Sequence, residues 1–469
     1  MPRISRRAAT LGLASLVAPA MVRPASAAQP SLTGQVVWPG DPLYDEGRRD
    51  FNSRFDRYPA GIVYCADTSD VLNALTWARD QQAPIAVRSG GHSYEAHSAL
   101  DDRLLIDLSG LAQVEVNHAA GTATIGPGVR LLDLYRALAA EGVAVAAGTC
   151  PGVGLGGLVL GGGVGFRSRR DGLTCDALLA AEVVLADGRV VQASASEQPD
   201  LFWALRGGGG GNVGIVTSFT ARTSPADDVS MASITWPWDE AAQVIAAWQE
   251  WAPHTDARLS SSLAIFRPDA GVIGFTGVLL GPVEELEALL APMLATGAPT
   301  ANVRSLSWSE AAEELAGPAI DQIAFKNGSA FAYQPLPPEA ISLIISQMAV
   351  APAPSNLISF FALGGAIGQI APAATAFPHR RALLDLQIQS YWQTAWEETD
   401  NVAWVNTFRE WLAPYTSGAY VNYIDADLPD WAAACYGRNL GRLTRVKARY
   451  DPERIFDAPQ SIPEIAAQV

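Results

Sequence analysis

Short apolar runs alternate with helical periodicities over residues 62–190. The runs IVYC, IAVRS, LLIDLS, TATIGP and VVLADG each have the length of one strand and are bounded by polar or glycine-rich breaks. Between them, TSDVLNALTWARDQQ and LLDLYRALAAEG repeat their apolar positions every three or four residues, which predicts helices. Thr68-Ser69-Asp70 gives the first helix a polar start, and Asp80, Gln81 and Gln82 end it before Pro84. From about residue 225 the texture changes to Trp-, Ala- and Pro-rich segments. Helices are predicted at 239–252 and 282–296, and strands at 321–333, 357–363 and 383–392. The last contains LDLQIQSYW, where a period of two puts Asp385, Gln387, Gln389 and Tyr391 on one face and Leu386, Ile388, Ser390 and Trp392 on the other.

This pattern predicts an α+β chain. A mixed domain spans 28–225, and a second over 226–417 has an antiparallel sheet backed by helices. A C-terminal segment, 418–469, contains a helix in RLTRVKARYDPERIF that stops at Asp451-Pro452. A length of 469 residues agrees with more than one core, since single cores stop growing at about 250–300 residues. No repeat of fixed period is present.

A formal charge of -16 argues against nucleic acid and anionic membranes as partners and favours a neutral or cationic small-molecule substrate. Four cysteines are too few for a disulfide framework. At the N-terminus, paired Arg6 and Arg7 precede an apolar run from Ala8 to Val22 and a small-residue cleavage site at Ala25-Ser26-Ala27. This predicts a twin-arginine signal peptide over 1–27 and a secreted or periplasmic protein. The run is shorter than the span of about 20 residues that a membrane helix needs. Export also removes the chain from the nicotinamide pool.

Glycines concentrate in a few loops. Gly152, Gly154 and Gly157 satisfy G-x-G-x-x-G, but the following helix would run into Gly161-Gly162-Gly163, which excludes an ordinary Rossmann unit. The loops at 89–91 and 206–219 are similar, and all expose backbone N–H groups with no Cβ to shield them, as close approach of a pyrophosphate requires. His92 follows one glycine pair, where nothing local holds its ring. His97, His118, His254 and His379 show no metal-ligand spacing, and Cys65, Cys175 and Cys435 read as small buried hydrophobes.

RSGGHSYE, CPGVGLGGLVLGGGVGF, DGLTCDALLAAEVVLADG, FWALRGGGGGNVGIVTSF, YVNYIDADL and YGRNLGRLTRVKARYDPERIF, in that order, resemble the berberine-bridge-enzyme branch of the vanillyl-alcohol-oxidase flavoproteins. The resemblance covers about 55–225 and the last fifty residues, and it implies a PCMH-type FAD-binding domain. It also implies a bicovalent flavin, bonded by His92 at the 8α carbon and by Cys150 at C6, so that the His92 ring needs no packing wall. Arg88, Ser89, Gly90, Gly91, Ser93, Val153, Gly154, Gly157, Gly161, Gly162, Gly214, Ile215, Val216, Asn422 and Asn439 would line the cofactor. Val153 falls where the family sets oxygen access, implying an oxidase that releases hydrogen peroxide.

By the same resemblance Tyr423 is the base, assisted by Asp385, Gln389 or Tyr391. A free tyrosine titrates near about 10, so it needs a neighbour that stabilises its phenolate or accepts its proton. The expected substrate is an alcohol or hemiacetal carbon of an oligosaccharide or glycosylated natural product. Sugar-oxidising relatives often carry an acid in the middle of the strand row where glutamines stand here. Oxidative cyclisation or dehydrogenation of a secondary metabolite, or flavin binding without catalysis, remain as alternatives.

Overall fold

Three large sheets carry the fold, beside a two-stranded ladder of Val143–Ala144 with Ser224–Pro225. The computed structural model describes residues 32–464 except Ala319; the expected signal at 1–27 lies outside them. The first sheet has the order Gln35–Val37, Gly61–Tyr64, Leu104–Asp107, Ile85–Arg88, and its last three strands run parallel. The helix Thr68–Asp80 makes one crossover, and its cap is Asp67, whose carboxylate accepts from the Asp70 N–H one residue before the predicted start. The second sheet is antiparallel, in the order Val114–Asn117, Thr122–Ile125, Ile215–Arg222, Leu178–Val184, Val190–Ser194. The expected helix at LLDLYRALAA is present as Leu131–Ala140. After the glycine fingerprint comes only a seven-residue helix, Leu155–Gly161, which stops where Gly162 takes φ +127°.

The third sheet is antiparallel with seven strands, ordered Thr300–Leu306, Val229–Pro237, Val272–Leu279, Leu259–Phe266, Leu357–Ala362, Leu384–Trp392, Ala324–Ala332. Four of these strands, from Val229–Pro237 to Thr300–Leu306, are additions to the sequence expectation. Serine and glycine in LSSSLAIF and VIGFTGVL dilute their apolar alternation, and TANVRSL is a partly exposed edge. Helices Ala241–Trp251, Pro338–Ala349 and Glu398–Leu412 cover one face, burying Trp248, Ile344 and Phe408 against Phe360, Leu386 and Ile388. The opposite face is left for the first two sheets.

Arg169 fastens the halves. Its guanidinium, 1% exposed, donates to the carbonyls of Leu259 at 2.7 Å, Thr255 at 2.9 Å and Pro253 at 3.0 Å. Burial lowers its pKa to about 10, and the carbonyls stand in for the water it has lost. Among the described residues no helix is long and apolar enough to cross a membrane.

Candidate active site

A cavity of about 520 Å³ opens where the three sheets meet. The three glycine loops wall it, and those at 89–91 and 152–154 touch only because they carry glycine. A Cβ on Gly90 would overlap the amide nitrogen of Gly154, and one on Gly154 would overlap Ser89 Oγ. Gly157 and Gly211 differ, since a Cβ there would meet nothing within 4 Å and would project into the cavity. Among the described lining residues there is no lysine or arginine, while Asp385, Asp425 and Asp457 are acidic. An anionic group bound here therefore depends on backbone amides, as in other anion-binding nests.

His92 is packed, contrary to expectation. Phe51 stacks on it with 4.1 Å between centroids and 17° between planes, and the Phe51 N–H donates to Gly91 O at 2.8 Å. On the Gly152 side there is no room for a side chain, because a Cβ would lie 2.8 Å from His92 Nε2. Burial, helped by the charge of Arg130, lowers the His92 pKa to about 4. The ring is thus neutral near pH 7, and its lone pair is free to form a bond.

Cys150 opens onto the same cavity from a braced turn. Val153 N–H donates to Cys150 O at 3.3 Å, Leu131 N–H to Val153 O at 3.0 Å, and Tyr135 Oη to Gly148 O at 2.6 Å. Although the residue is exposed to the cavity, the protein around its thiol still pushes the pKa up.

The strand Leu384–Trp392 forms the ceiling as its period predicts. Leu386 and Ile388, each 1% exposed, point into the core, while Asp385, Gln387 and Gln389 face the cavity. Gln389 Nε2 donates to Ser359 Oγ at 2.7 Å, and Gln387 Nε2 to Tyr94 Oη at 3.2 Å. The ceiling is thus an array of neutral amides and hydroxyls around one acid. Asp385 is 2% exposed, its Oδ1 has no hydrogen-bond partner, and burial pushes its pKa well above the usual carboxylate range.

Tyr423 reaches the cavity from the C-terminal segment between two other tyrosines. Tyr94 lies parallel to it at 5.7 Å, and Tyr420 meets it edge-on at 4.8 Å. Burial, then the charge of Asp385, raise the Tyr423 pKa well above its ordinary value. The neighbour expected to stabilise the phenolate is therefore an acid that disfavours it. Tyr94 and Phe51 were not singled out in the sequence, although Tyr94 stands two residues after His92.

Of the other expected residues, Ser89, Gly91, Ser93, Val153, Gly214, Ile215, Val216 and Asn422 line the cavity. Five do not. Arg88 is spent beneath its loop, on Asp107 at 2.5 Å and Gly47 O at 2.6 Å. Asn439 uses its amide on the carbonyls of Pro372, Thr375 and Ala376. Tyr391 lies behind Gln389 and donates to its Oε1 at 2.8 Å. Gly161 is covered by the Asn422 side chain, and Gly162 ends the helix. Each holds the wall in shape and leaves the lining to its neighbours.

A flat, elongated dinucleotide such as FAD fits a cradle whose open glycine faces leave room and which, among the described residues, offers an anion backbone amides in place of lysine or arginine. The family model for FAD binding domains matches residues 59–194, and that for berberine and berberine-like proteins matches 419–463. The chain is 42% identical to the FAD-linked oxidoreductase YgaK of Bacillus subtilis, over 92% of this chain and 98% of the relative. It is 32% identical to the xylooligosaccharide oxidase of Thermothelomyces thermophilus, over 88% of each. The solved structure of Physcomitrella patens BBE-like 1 superposes with a TM-score of 0.88 at 31% identity, covering 93% of this chain and 98% of that one. The chain belongs to the berberine-bridge-enzyme-like family and is an FAD-linked oxidase with a PCMH-type fold.

Proposed function

We propose that this oxidase acts on an alcohol or hemiacetal carbon of a neutral sugar, presented as an oligosaccharide or on a glycosylated natural product. The observation that carries the reading is the ceiling: neutral amides and hydroxyls surround Asp385, whose buried Oδ1 is unpartnered, beside Tyr423. Such groups both donate and accept, as the hydroxyls of a sugar require. Phe166 and Phe361, edge to face at 5.1 Å, give the cavity an apolar wall for the C–H face of a ring.

In this reading His92 and Cys150 would hold FAD, and the bound flavin would supply a two-electron acceptor for the substrate carbon that O2 reoxidises to give hydrogen peroxide. The chain's own residues handle the proton. The active form has Tyr423 deprotonated beside Asp385, which burial keeps neutral. Tyr423 then takes the hydroxyl proton of the substrate. Gln387, Gln389 and Ser359 orient the ring, and Val153 leaves space for oxygen. Segments 28–225 and 418–469 hold the cofactor, 226–417 presents the substrate face, and the signal at 1–27 directs export of the folded protein. The name of the xylooligosaccharide oxidase supports the substrate class.

The test is a panel of neutral oligosaccharides with coupled detection of peroxide and mass analysis of the product. Loss of two hydrogens from the sugar with equimolar peroxide is expected. Absence of peroxide across neutral sugars and glycosides alike overturns the reading.

A further inference from the structure

Lys326 sits on the strand Ala324–Ala332, 2% exposed, inside a cage of carboxylates. Its ammonium lies 2.6 Å from Glu95 Oε1, 2.6 Å from Asp425 Oδ1 and 3.1 Å from Asp427 Oδ2. Arg54 approaches Glu95 at 3.9 Å and pairs with Glu398 at 2.9 Å, while Arg409 pairs with Asp425 and donates to Asp427 O. A buried ammonium is tolerable only with such partners, and removing a partner strands the remaining charges.

The location of the carboxylates gives the cage its meaning. Glu95 directly follows Tyr94, and Asp425 stands two residues after Tyr423. No strand pairing joins these two segments among the described residues, so their spacing depends on the groups that bridge them. Tyr94 also packs edge-on against Phe325, the neighbour of Lys326, at 5.0 Å.

We propose that Lys326 is a positioning residue for catalysis: by holding Glu95 and Asp425 at once, it sets the separation of the Tyr94 and Tyr423 rings. It touches neither substrate nor cofactor, and it acts through Tyr423, so the inference rests on the role given to that residue above.

The experiment is a double-mutant cycle of K326M with Y423F, followed by kcat, KM and near-ultraviolet circular dichroism of the tyrosine stack. Misplacement of a reacting group by about 1 Å reduces rates by on the order of 100-fold. K326M is therefore expected to lower kcat by about that factor, with KM little changed, to alter the stack signal, and to have no further effect on kcat in the Y423F background. K326R should recover part of the loss. An equal loss in both backgrounds, or undiminished kcat in folded K326M, overturns the proposal. If Y423F retains wild-type kcat, the base assignment is what fails, and the stack signal then decides: an unchanged signal in K326M overturns the inference. Should K326M not fold, E95Q enters the same cycle with the same outcomes, since it keeps the side-chain shape.

Discussion

Tyr94 and Tyr423 lie parallel, 5.7 Å apart with 3° between their planes, one from the loop that bears His92 and the other from the C-terminal segment. The pair joins the tether expected at His92 to the expected base. It also encloses Tyr423 enough to raise its pKa.

Y423F keeps the stack and removes the hydroxyl. Loss of a general base lowers kcat by about 10²–10⁴-fold. The protein should still carry its flavin, which its visible absorption reports. In the wild type, kcat/KM should rise with pH, because burial pushes the Tyr423 pKa up and its phenolate forms only as the solution becomes alkaline.

D385N should become the more stable protein as pH rises. The folded pKa of Asp385 is raised above the ordinary 3.8. Above that value the unfolded chain has released the proton and the folded one still holds it, so wild-type stability falls with increasing pH. The amide has no such dependence. Melting curves should coincide near pH 4 and separate in favour of D385N at higher pH; a D385N protein that melts lower at alkaline pH contradicts the buried, neutral acid.

Acid should unfold the protein through its buried histidines. His97 and His379 both have pKa values lowered from 6.5 to about 4, by burial first. Between these values the unfolded chain takes up protons that the folded one refuses, so stability falls as pH drops from 6.5 toward 4. Each contributes at most about 3 kcal/mol, taking 1.36 kcal/mol per unit. H379Q should flatten the decline of melting temperature over that window.

The tethers are tested by acid precipitation. Yellow colour should stay with the wild-type pellet, persist in H92A and C150A, and be released only from the double variant. Flavin freed from the wild type by acid removes the covalent reading and leaves the FAD fold intact.

Two glycines separate folding from loading. G157L adds a side chain where nothing lies within 4 Å, so the fold should survive while flavin content falls. G154A drives a Cβ into Ser89 and should lower the yield of folded protein. Equal flavin content in folded G157L and wild type would falsify the placement of the cofactor against that helix.

The glycine loops that wall the cavity were legible because their information is local: glycine runs, β-branched strands and a polar helix start all lie within a few residues. The ceiling was legible at Asp385, Gln387 and Gln389 because period two is independent of context. Phe51 and Lys326 were not, since their partners are distant in sequence and AFKNGSAF reads like any strand with a lysine. Arg88 and Asn439 show the converse, because a polar side chain in a motif looks the same whether it meets a ligand or a neighbouring loop's carbonyl. Three of the additional strands of the large sheet were hidden by serine and glycine that a buried strand tolerates once both neighbours are in place, and the fourth, Thr300–Leu306, by its exposure at the edge.

A cradle with no lysine or arginine among its described lining residues leaves the two phosphate charges of a bound dinucleotide without ionic partners there. They add to a chain that already carries -16, so the loaded protein is more anionic than the empty one. Since peptide dipoles are fixed and do not titrate, the noncovalent hold on the phosphates should depend weakly on salt and pH. The approach of substrate should not. A polyuronate chain meets a repelling field that added salt relaxes, whereas a neutral glycan meets none. In a mixture of the two, ionic strength alone would then shift which chain is oxidised first.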